Sequence, residues 1–528
     1  MSTKSEEDKV VQGLIHIPTL RLKLAAQGVI VGITAGLSIV VLRSCLEMVS
    51  ESRNRMVAFL QGLPPYLVLV WAAGLVLTAF IIAGLCRRVP SAAGGGIPQV
   101  RAIMLGLAKD DNWFTILITK LVTTIMGIGA GLSMGREGPS VQIGAMAAEG
   151  VSRAFKNTNV EERALISSGV GAGLAAAFNA PLGGFMFTME VMQKNFSTLV
   201  IAPTLVASVT AGVIAHTFFG MDTVFLIKPM PLLHQGFLPH LILLGLFSGF
   251  MGVLFNKVFF GIGAFYKLPI FKNSVMKIAF PLLLTIPLTY LLPQVLGAGD
   301  GIIGAMLNLK GSISMILLLL LGKYLFTVLS TGSGAPGGCL QPMLVLGSLT
   351  GGLFGSVACA LGFMPPEYRL HMVVFGMAGF FAGSVRTPVT AILLLLELTG
   401  RFYHIVPLSI VSLCAYAAGE LLRDKPMFDR AMEGIFAKLD GPKPLPIKQN
   451  QHLMEASVEE GSKAEGHSLS ELRLPGKALV IFVRRGNQTF VPDGSVRFMA
   501  GDFVYLVPNQ AKLTELADVF KSSAYSDN

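Results

Sequence analysis

The residues best placed to do chemistry are Arg136 and Glu137, adjacent charges within Gly131-Leu-Ser-Met-Gly-Arg-Glu-Gly-Pro-Ser-Val-Gln-Ile-Gly-Ala145. The surroundings are apolar, and Gly135, Gly138 and Pro139 interrupt any helix there, which frees backbone amides. Irregular backbone at membrane depth is tolerated only when it is buried in protein or lines a polar cavity. Pro139 suits the first turn of a new helix, since its missing N–H has no partner there in any case. A helix starting at this point aims free N–H groups and the positive end of its dipole at the Gly-Arg-Glu-Gly turn. That arrangement is an anion site. Glu137 competes with a diffusible anion for the same donors, and protonating it vacates the position. Burial and a neighbouring anion favour its neutral form, whereas helix amino ends and Arg136 favour the carboxylate. The plainer alternative is a buried Arg136–Glu137 ion pair with no further role.

Gly131-Leu-Ser133-Met-Gly135 also matches the nucleophile elbow of hydrolases. An elbow needs a strand before it, and a histidine and an acid beside it. Of the eight histidines only His216 lies well inside an apolar run. An intramembrane serine hydrolase using Ser133 is therefore the reading from a different class. Gly332-Ser-Gly-Ala-Pro-Gly337 matches a dinucleotide fingerprint, but Pro336 interrupts it and no soluble strand–helix–strand unit surrounds it. Cys45, Cys86, Cys339, Cys359 and Cys414 show no metal or redox spacing and read as small apolar packers. No metal or cofactor is expected. Cys339 stands out because it falls in a Gly-rich turn.

The elements that must position these residues follow from composition. The 528 residues are 52% hydrophobic and 14% charged, against roughly 25% charged in soluble proteins. The chain reads as an α-helical polytopic membrane protein. A net charge of +10 is scattered over loops and tails, which points to topology and headgroup contacts in a lipid bilayer rather than nucleic acid. The polar residues 1–24 read as a cytoplasmic tail without a cleavable signal peptide. Apolar runs at about Leu24–Leu42 and Tyr66–Leu85 are each about long enough to span, and the second ends at the basic Arg87-Arg88 edge. Two spans return the chain to the cytoplasm, as the positive-inside rule prefers.

Beyond that edge, apolar segments are short and cut by Gly and Pro: Ala93-Gly-Gly-Gly-Ile-Pro98, the Glu137 stretch, Phe178-Asn-Ala-Pro181, and Gly332–Gly338. Discontinuous helices meeting at a midplane site have this signature. Longer runs resume at about Leu199–Phe218, Leu241–Phe259, Ile278–Leu292, Ile316–Leu329 and Leu408–Leu422. The halves also resemble each other. Gly131, Gly135, Pro139 and Gly144 recur as Gly334, Gly338, Pro342 and Gly347, all 203 positions on. Gly169, Pro181 and Glu190 recur as Gly376, Pro388 and Glu397, all 207 positions on. An internal repeat follows, although its orientation is not readable from residues alone.

Gly-Arg-Glu-Gly-Pro (135–139), Gly-Ser-Gly-Ala-Pro-Gly-Gly (332–338) and Gly94-Gly-Gly-Ile-Pro98, over residues 25–432, resemble the CLC family of chloride channels and chloride/proton exchangers. The resemblance implies an inverted repeat within each subunit, a homodimer, and one chloride pathway per subunit. It makes Glu137 the external gating and proton-carrying glutamate. It places the anion sites at Gly95, Gly96, Ile97, Arg136, Gly138, Cys339, Leu340 and Phe428. An ionisable residue inside the membrane is functional by default, so the two lines of reading agree.

Three positions depart from the family pattern. Gly95 stands where a serine hydroxyl is common, Phe428 where a tyrosine is common, and Val191 where proton-coupled members often carry an internal glutamate. Together they lean towards channel-like or loosely coupled chloride transport. Strict chloride/proton antiport, or transport of nitrate or fluoride, remains the alternative. The intact Gly332–Gly338 motif favours chloride over fluoride. Glu190 and Glu397 read as structural or dimer-side carboxylates.

The composition becomes soluble near Arg430. Residues 433–452 form a Pro-rich linker, with Gly441-Pro-Lys-Pro-Leu-Pro446 at its centre, and 523–528 a short tail. Leu479–Val483 and Phe503–Val507 have strand character, and a last helix is expected at about Gln510–Phe520. This small α/β unit, 453–522, is similar to the TrkA-C regulatory module. The similarity rests on the Arg484-Arg485-Gly486 and Gly501-Asp502 turns, and it implies an unidentified small regulatory ligand. A passive dimer-stabilising cap is the plainer reading. A potassium-uptake component is disfavoured because the membrane part lacks a carbonyl filter sequence. The resulting expectation is a multi-pass plasma-membrane protein with both termini cytoplasmic.

Overall fold

The computed structural model describes residues 3–436 except 61–64, 106–111, 195, 222, 226–229, 232 and 309–310. It also describes 454–507 except 460, 473, 475–477, 486–487 and 491, together with 519–520. The chain forms two compact units, Met1–Ile435 and Phe436–Asn528.

The first unit is helical throughout. Its helices are α1 (Thr3–Leu60), α2 (Pro65–Arg88), α3 (Ile97–Met104), α4 (Trp113–Gly129), α5 (Glu137–Ala154) and α6 (Asn159–Phe178). They continue as α7 (Pro181–Phe187), α8 (Thr198–Phe219), α9 (Leu238–Phe265), α10 (Ser274–Leu291), α11 (Asp300–Leu307) and α12 (Ile313–Gly332). The last are α13 (Leu340–Ala360), α14 (Arg369–Val385), α15 (Pro388–Thr399), α16 (Ile405–Leu421) and α17 (Met427–Phe436). Among the described residues eight helices are long and apolar enough to cross a bilayer, and each long apolar run read from the sequence is one of them. The segment read as an N-terminal tail is helical up to the first span. Helix α1 runs without a break from Thr3 through the first span. Acidic residues early in that segment favour the amino end of a helix, and the apolar run behind it supplies a long template to propagate from.

The short helices are nested at the centre. Helix α5 is buried along nearly its whole length, and so is α14. Close packing needs small residues where backbones cross. A Cβ on Gly144 would collide with the Gly169 carbonyl, and one on Gly347 with the backbone of Gly376 and Met377. The same crossing, α5 on α6 and α13 on α14, therefore occurs once in each half.

The repeat is inverted. Gly135 and Gly338, equivalent positions, pair as an antiparallel bridge with both N–H···O distances 2.7 Å. Flanking bonds obey the same relation: Gly94 N–H donates to Gly334 O (3.2 Å) and Gly297 N–H to Gly131 O (3.0 Å). Exchanging the halves maps each bond onto its partner, so a local dyad passes between Gly135 and Gly338. Glu190 and Glu397 are capping groups across that dyad. Glu397 accepts from Leu182 N–H (2.9 Å) and Gly183 N–H (2.7 Å) at the start of α7. Glu190 accepts from Val389 N–H (3.3 Å) and Thr390 N–H (2.7 Å) at the start of α15.

The second unit holds an antiparallel sheet of β1 (Met454–Ser457), β2 (Leu479–Arg485), β3 (Gln488–Phe490) and β4 (Phe503–Val507), ordered β1-β4-β2-β3. Strands β2 and β4 fall where the sequence places them, whereas β1 and β3 are too short for periodicity to reveal. The two turns that suggested the module are joined directly. Arg485 donates from Nε to Asp502 Oδ1 (2.8 Å) and from Nη2 to Oδ2 (2.7 Å). This fork holds the Arg485 guanidinium above its ordinary pKa. Residues 437–450, within the expected linker, and most of the expected last helix lie outside the described residues.

Candidate anion site

Three helix starts meet around the central bridge. Helix α5 begins at Glu137 after Arg136, α13 at Leu340 after Cys339, and α3 at Ile97 after Gly96. Gln99 fixes the last turn, accepting from Gly96 N–H (2.8 Å) and donating to the Ala93 carbonyl (2.8 Å). The approach of α3 to α5 leaves no room for side chains. A Cβ on Gly138 would collide with the Gly95 carbonyl, and one on Gly96 would lie 2.5 Å from the Gly138 carbonyl. Gly96 also has φ +97°, a conformation open chiefly to glycine. Gly95 is different, because the nearest atom to a Cβ there is the Gly337 carbonyl oxygen at 3.9 Å.

Glu137 is fully buried at this junction. Its Oε2 accepts from Gln341 N–H in the first turn of α13 (3.2 Å), and the carboxylate lies against Gly135. Its Oε1 has no hydrogen-bond partner among the described residues. The carboxylate thus occupies the amino end of a helix, where an anion is stabilised. The alternative Arg136–Glu137 ion pair does not form: among the described residues no carboxylate lies within 4.0 Å of the Arg136 guanidinium. Arg136 instead lines a cavity of about 110 Å³ with Glu137, Glu47, Ser50, Asp300 and Gln341. Gln341 Nε2 donates to Asp300 Oδ1 at 2.5 Å. Sequence reading missed Asp300 and Glu47. Asp300 was findable, because it stands 203 positions after Ile97.

The remaining candidates gather in a second cavity of about 50 Å³, where Val191 and Phe428 are joined by Arg101, Lys194, Glu190 and Asp429. Asp429 accepts from Arg101 Nη1 (2.6 Å) and Lys194 Nζ (2.6 Å). Phe428 meets Phe187 edge-on at 6.2 Å, and the neighbouring Met427 sulfur lies 3.8 Å from Cys339 Sγ. Cys339 thereby connects the helix junction to the Phe428 side.

Sequence reading also passed over two lysines that shape the junction. Lys120, in α4, donates to the carbonyls of Ala92 (3.1 Å) and Gly94 (2.6 Å). Lys323, in α12, donates to those of Val295 (3.0 Å) and Gly297 (2.7 Å). Both are fully buried, and each tethers the turn that leads into a short helix. A single charge 203 positions apart in two apolar runs was the signal for them.

The nucleophile-elbow alternative fails on geometry. Ser133 follows a helix rather than a strand, and its Oγ is bonded to Thr327 Oγ1 at 2.8 Å with no histidine partner among the described residues.

Comparison with known proteins agrees with this architecture. The family model described as voltage gated chloride channel matches residues 78–420, and the TrkA-C domain model matches 453–521. The H(+)/Cl(-) exchange transporter ClcA of Vibrio vulnificus strain YJ016 is 33% identical over 447 residues, covering 81% of this chain and 93% of that protein. The protein of the same name from Vibrio parahaemolyticus is 35% identical over 424 residues, covering 76% and 88%. Among solved structures, a slow cyanobacterial Cl-/H+ antiporter superposes with TM-score 0.74 at 28% identity, over 79% of this chain and 99% of that one. Broken helices meeting at Glu137, the inverted repeat and these matches lead to one conclusion: the chain belongs to the voltage-gated chloride channel family, with a TrkA-C domain behind its membrane unit.

Proposed function

We propose that the chain exchanges chloride for protons, with Glu137 both closing the anion route and carrying the proton. The observation that carries this reading is the Glu137 carboxylate seated on the Gln341 amide, where the starts of α5 and α13 meet. A chloride ion would use the same donors, so the carboxylate must be displaced or protonated for the anion to pass. Backbone of Gly95, Gly96, Ile97, Gly138, Cys339 and Leu340, with the Arg136 charge at the outer cavity, forms the anion path. Phe428 bounds it at the other end. The exchange activity named for the relatives from Vibrio supports proton coupling over the channel-like lean. The protein acts as a homodimer in the plasma membrane with both termini in the cytoplasm. Residues 25–432 transport, and 453–522 regulate in response to a small ligand.

Val191 favours a second reading, anion flux with loose proton coupling, because the inner cavity has an aliphatic side chain where proton-coupled relatives often carry a carboxylate. Purified full-length chain in liposomes separates the two. A chloride gradient is expected to drive proton uptake, and Glu137→Gln to abolish uptake while chloride still moves. Chloride flux without proton uptake in the wild type would select the second reading. No chloride flux in either protein would overturn both.

A further inference from the structure

On the reading that Glu137 carries the proton, we propose that Asp300 relays it, passing protons between solution and the buried carboxylate through water in the cavity beside Arg136. Glu137 is fully buried, so a proton reaches it only by way of water or another side chain. The cavity of about 110 Å³ supplies that connection, because buried Glu137 and exposed Asp300 and Glu47 all line it. Glu137 Oε2 is held by the Gln341 amide, whereas Oε1 is buried without a hydrogen-bond partner among the described residues. A buried carboxylate oxygen takes a partner, and in a polar cavity water provides one. Oε1 is therefore the atom that receives the proton.

Two exposed acids line the cavity, and their partners separate them. Glu47 pairs with Arg43 (3.7 Å). Asp300 forms no ion pair within 4.0 Å among the described residues. Its Oδ1 accepts from Gln341 Nε2 (2.5 Å), and Gln341 N–H donates to Glu137 Oε2 (3.2 Å). One residue thus ties both carboxylates to the first turn of α13, and it leaves Asp300 Oδ2 without a hydrogen bond among the described residues. Neither Asp300 nor Gln341 belongs to the repeated scaffold, since the other half has Ile97 and Gly138 at those places, 203 positions earlier. An acid opening α11 also suits the helix dipole, but that role does not call for the Gln341 link. Arg43 and Arg53 of α1, Arg136 of α5 and Lys323 of α12 act on Asp300 or face its cavity. These cations offset the acids there, so Asp300 does not bar an arriving anion. Protonated Asp300 gives its O–H proton through a bridging water to the Glu137 carboxylate and becomes the carboxylate itself. A proton from solution then restores it, and the reverse sequence releases the proton.

Purified full-length chain in liposomes tests the relay, with chloride-driven proton uptake measured across a range of pH. Asp300→Asn keeps the shape and an acceptor for Gln341 Nε2 but cannot carry a proton. It is expected to slow uptake about tenfold at alkaline pH, below the full worth of a positioned acid because water still delivers some protons. The loss should shrink at acidic pH, where hydronium is plentiful enough to reach the cavity directly. Asp300→Glu is expected to keep most of the wild-type rate at every pH. An equal loss at every pH, or no rescue by glutamate, makes Asp300 structural and overturns the relay. Unchanged uptake in Asp300→Asn, beside a wild type that takes up protons, overturns the relay alone. A wild type that takes up no protons overturns the exchange reading, and the relay with it.

Discussion

In the first half of the membrane unit Lys120 holds the carbonyls of Ala92 and Gly94, and in the second half Lys323 holds those of Val295 and Gly297. Gly96 has φ +97° before α3, and Gly299 has φ +96° before α11. Asn179 and Arg386, both left-handed, end equivalent helices, and Glu190 and Glu397 cap each other's repeat. The scaffold is thus the same twice over. The groups at the helix starts are not: Glu137 is matched by Leu340, Arg136 by Cys339, and Asp300 by Ile97. Backbone geometry that holds helix ends together tolerates little change, so it is symmetric. Side chains at those ends can diverge freely, and their divergence puts a carboxylate and a guanidinium at the start of α5 where α13 has Leu340 and Cys339.

The largest expected effect comes from erasing that difference. Glu137→Leu gives both repeats the same residue and should reduce chloride-driven proton uptake in liposomes to background while chloride efflux continues. Retained proton uptake would mean that the asymmetry at this pair is not what carries the proton. Next come the lysines. Lys120→Met and Lys323→Met each strip two buried carbonyls of a charged donor, at a cost of about 3 kcal/mol, read as lowered thermal unfolding in detergent. The two losses should match. A much larger effect at one site would show that lysine doing more than holding its turn.

A smaller loss, about 1 kcal/mol each, is expected for Glu190→Gln and Glu397→Gln in the same unfolding assay, because each weakens one helix cap. Inequality between them would break the structural equivalence of the repeats. The smallest effect sharpens the comparison at the anion route itself. Gly95 has open space beside it, so Gly95→Ser adds a hydroxyl without collision. Calorimetric chloride affinity should rise about fivefold, the worth of one hydrogen bond. An unchanged affinity would place the central anion away from residue 95.

Much of the site was legible because chemistry that is costly in a membrane leaves few readings. An intramembrane Glu137 between helix breakers has to be held by something, and only freed amides were on offer. The module in the second unit was legible for a similar reason, since its two signal turns are the ends of one ion pair, Arg485–Asp502. Lys120 and Lys323 escaped because each is a lone charge in an apolar run, with no motif to mark it. Glu190 and Glu397 were read as structural without a partner, since each partner lies in the opposite repeat.

The sequence by itself determined that broken helices occur, that they recur after about two hundred residues, and that one carboxylate lies among them. These follow from local physics, because Gly, Pro and a buried charge act on the backbone where they stand. Only the tertiary structure decided that the repeats face each other antiparallel through Gly135 and Gly338, and that the Glu137 oxygen rests on the Gln341 amide. It also decided that Val191 and Phe428 share one cavity. Those are meetings of residues far apart in the chain, and which amide a carboxylate reaches is fixed by the packing of the helices that carry them.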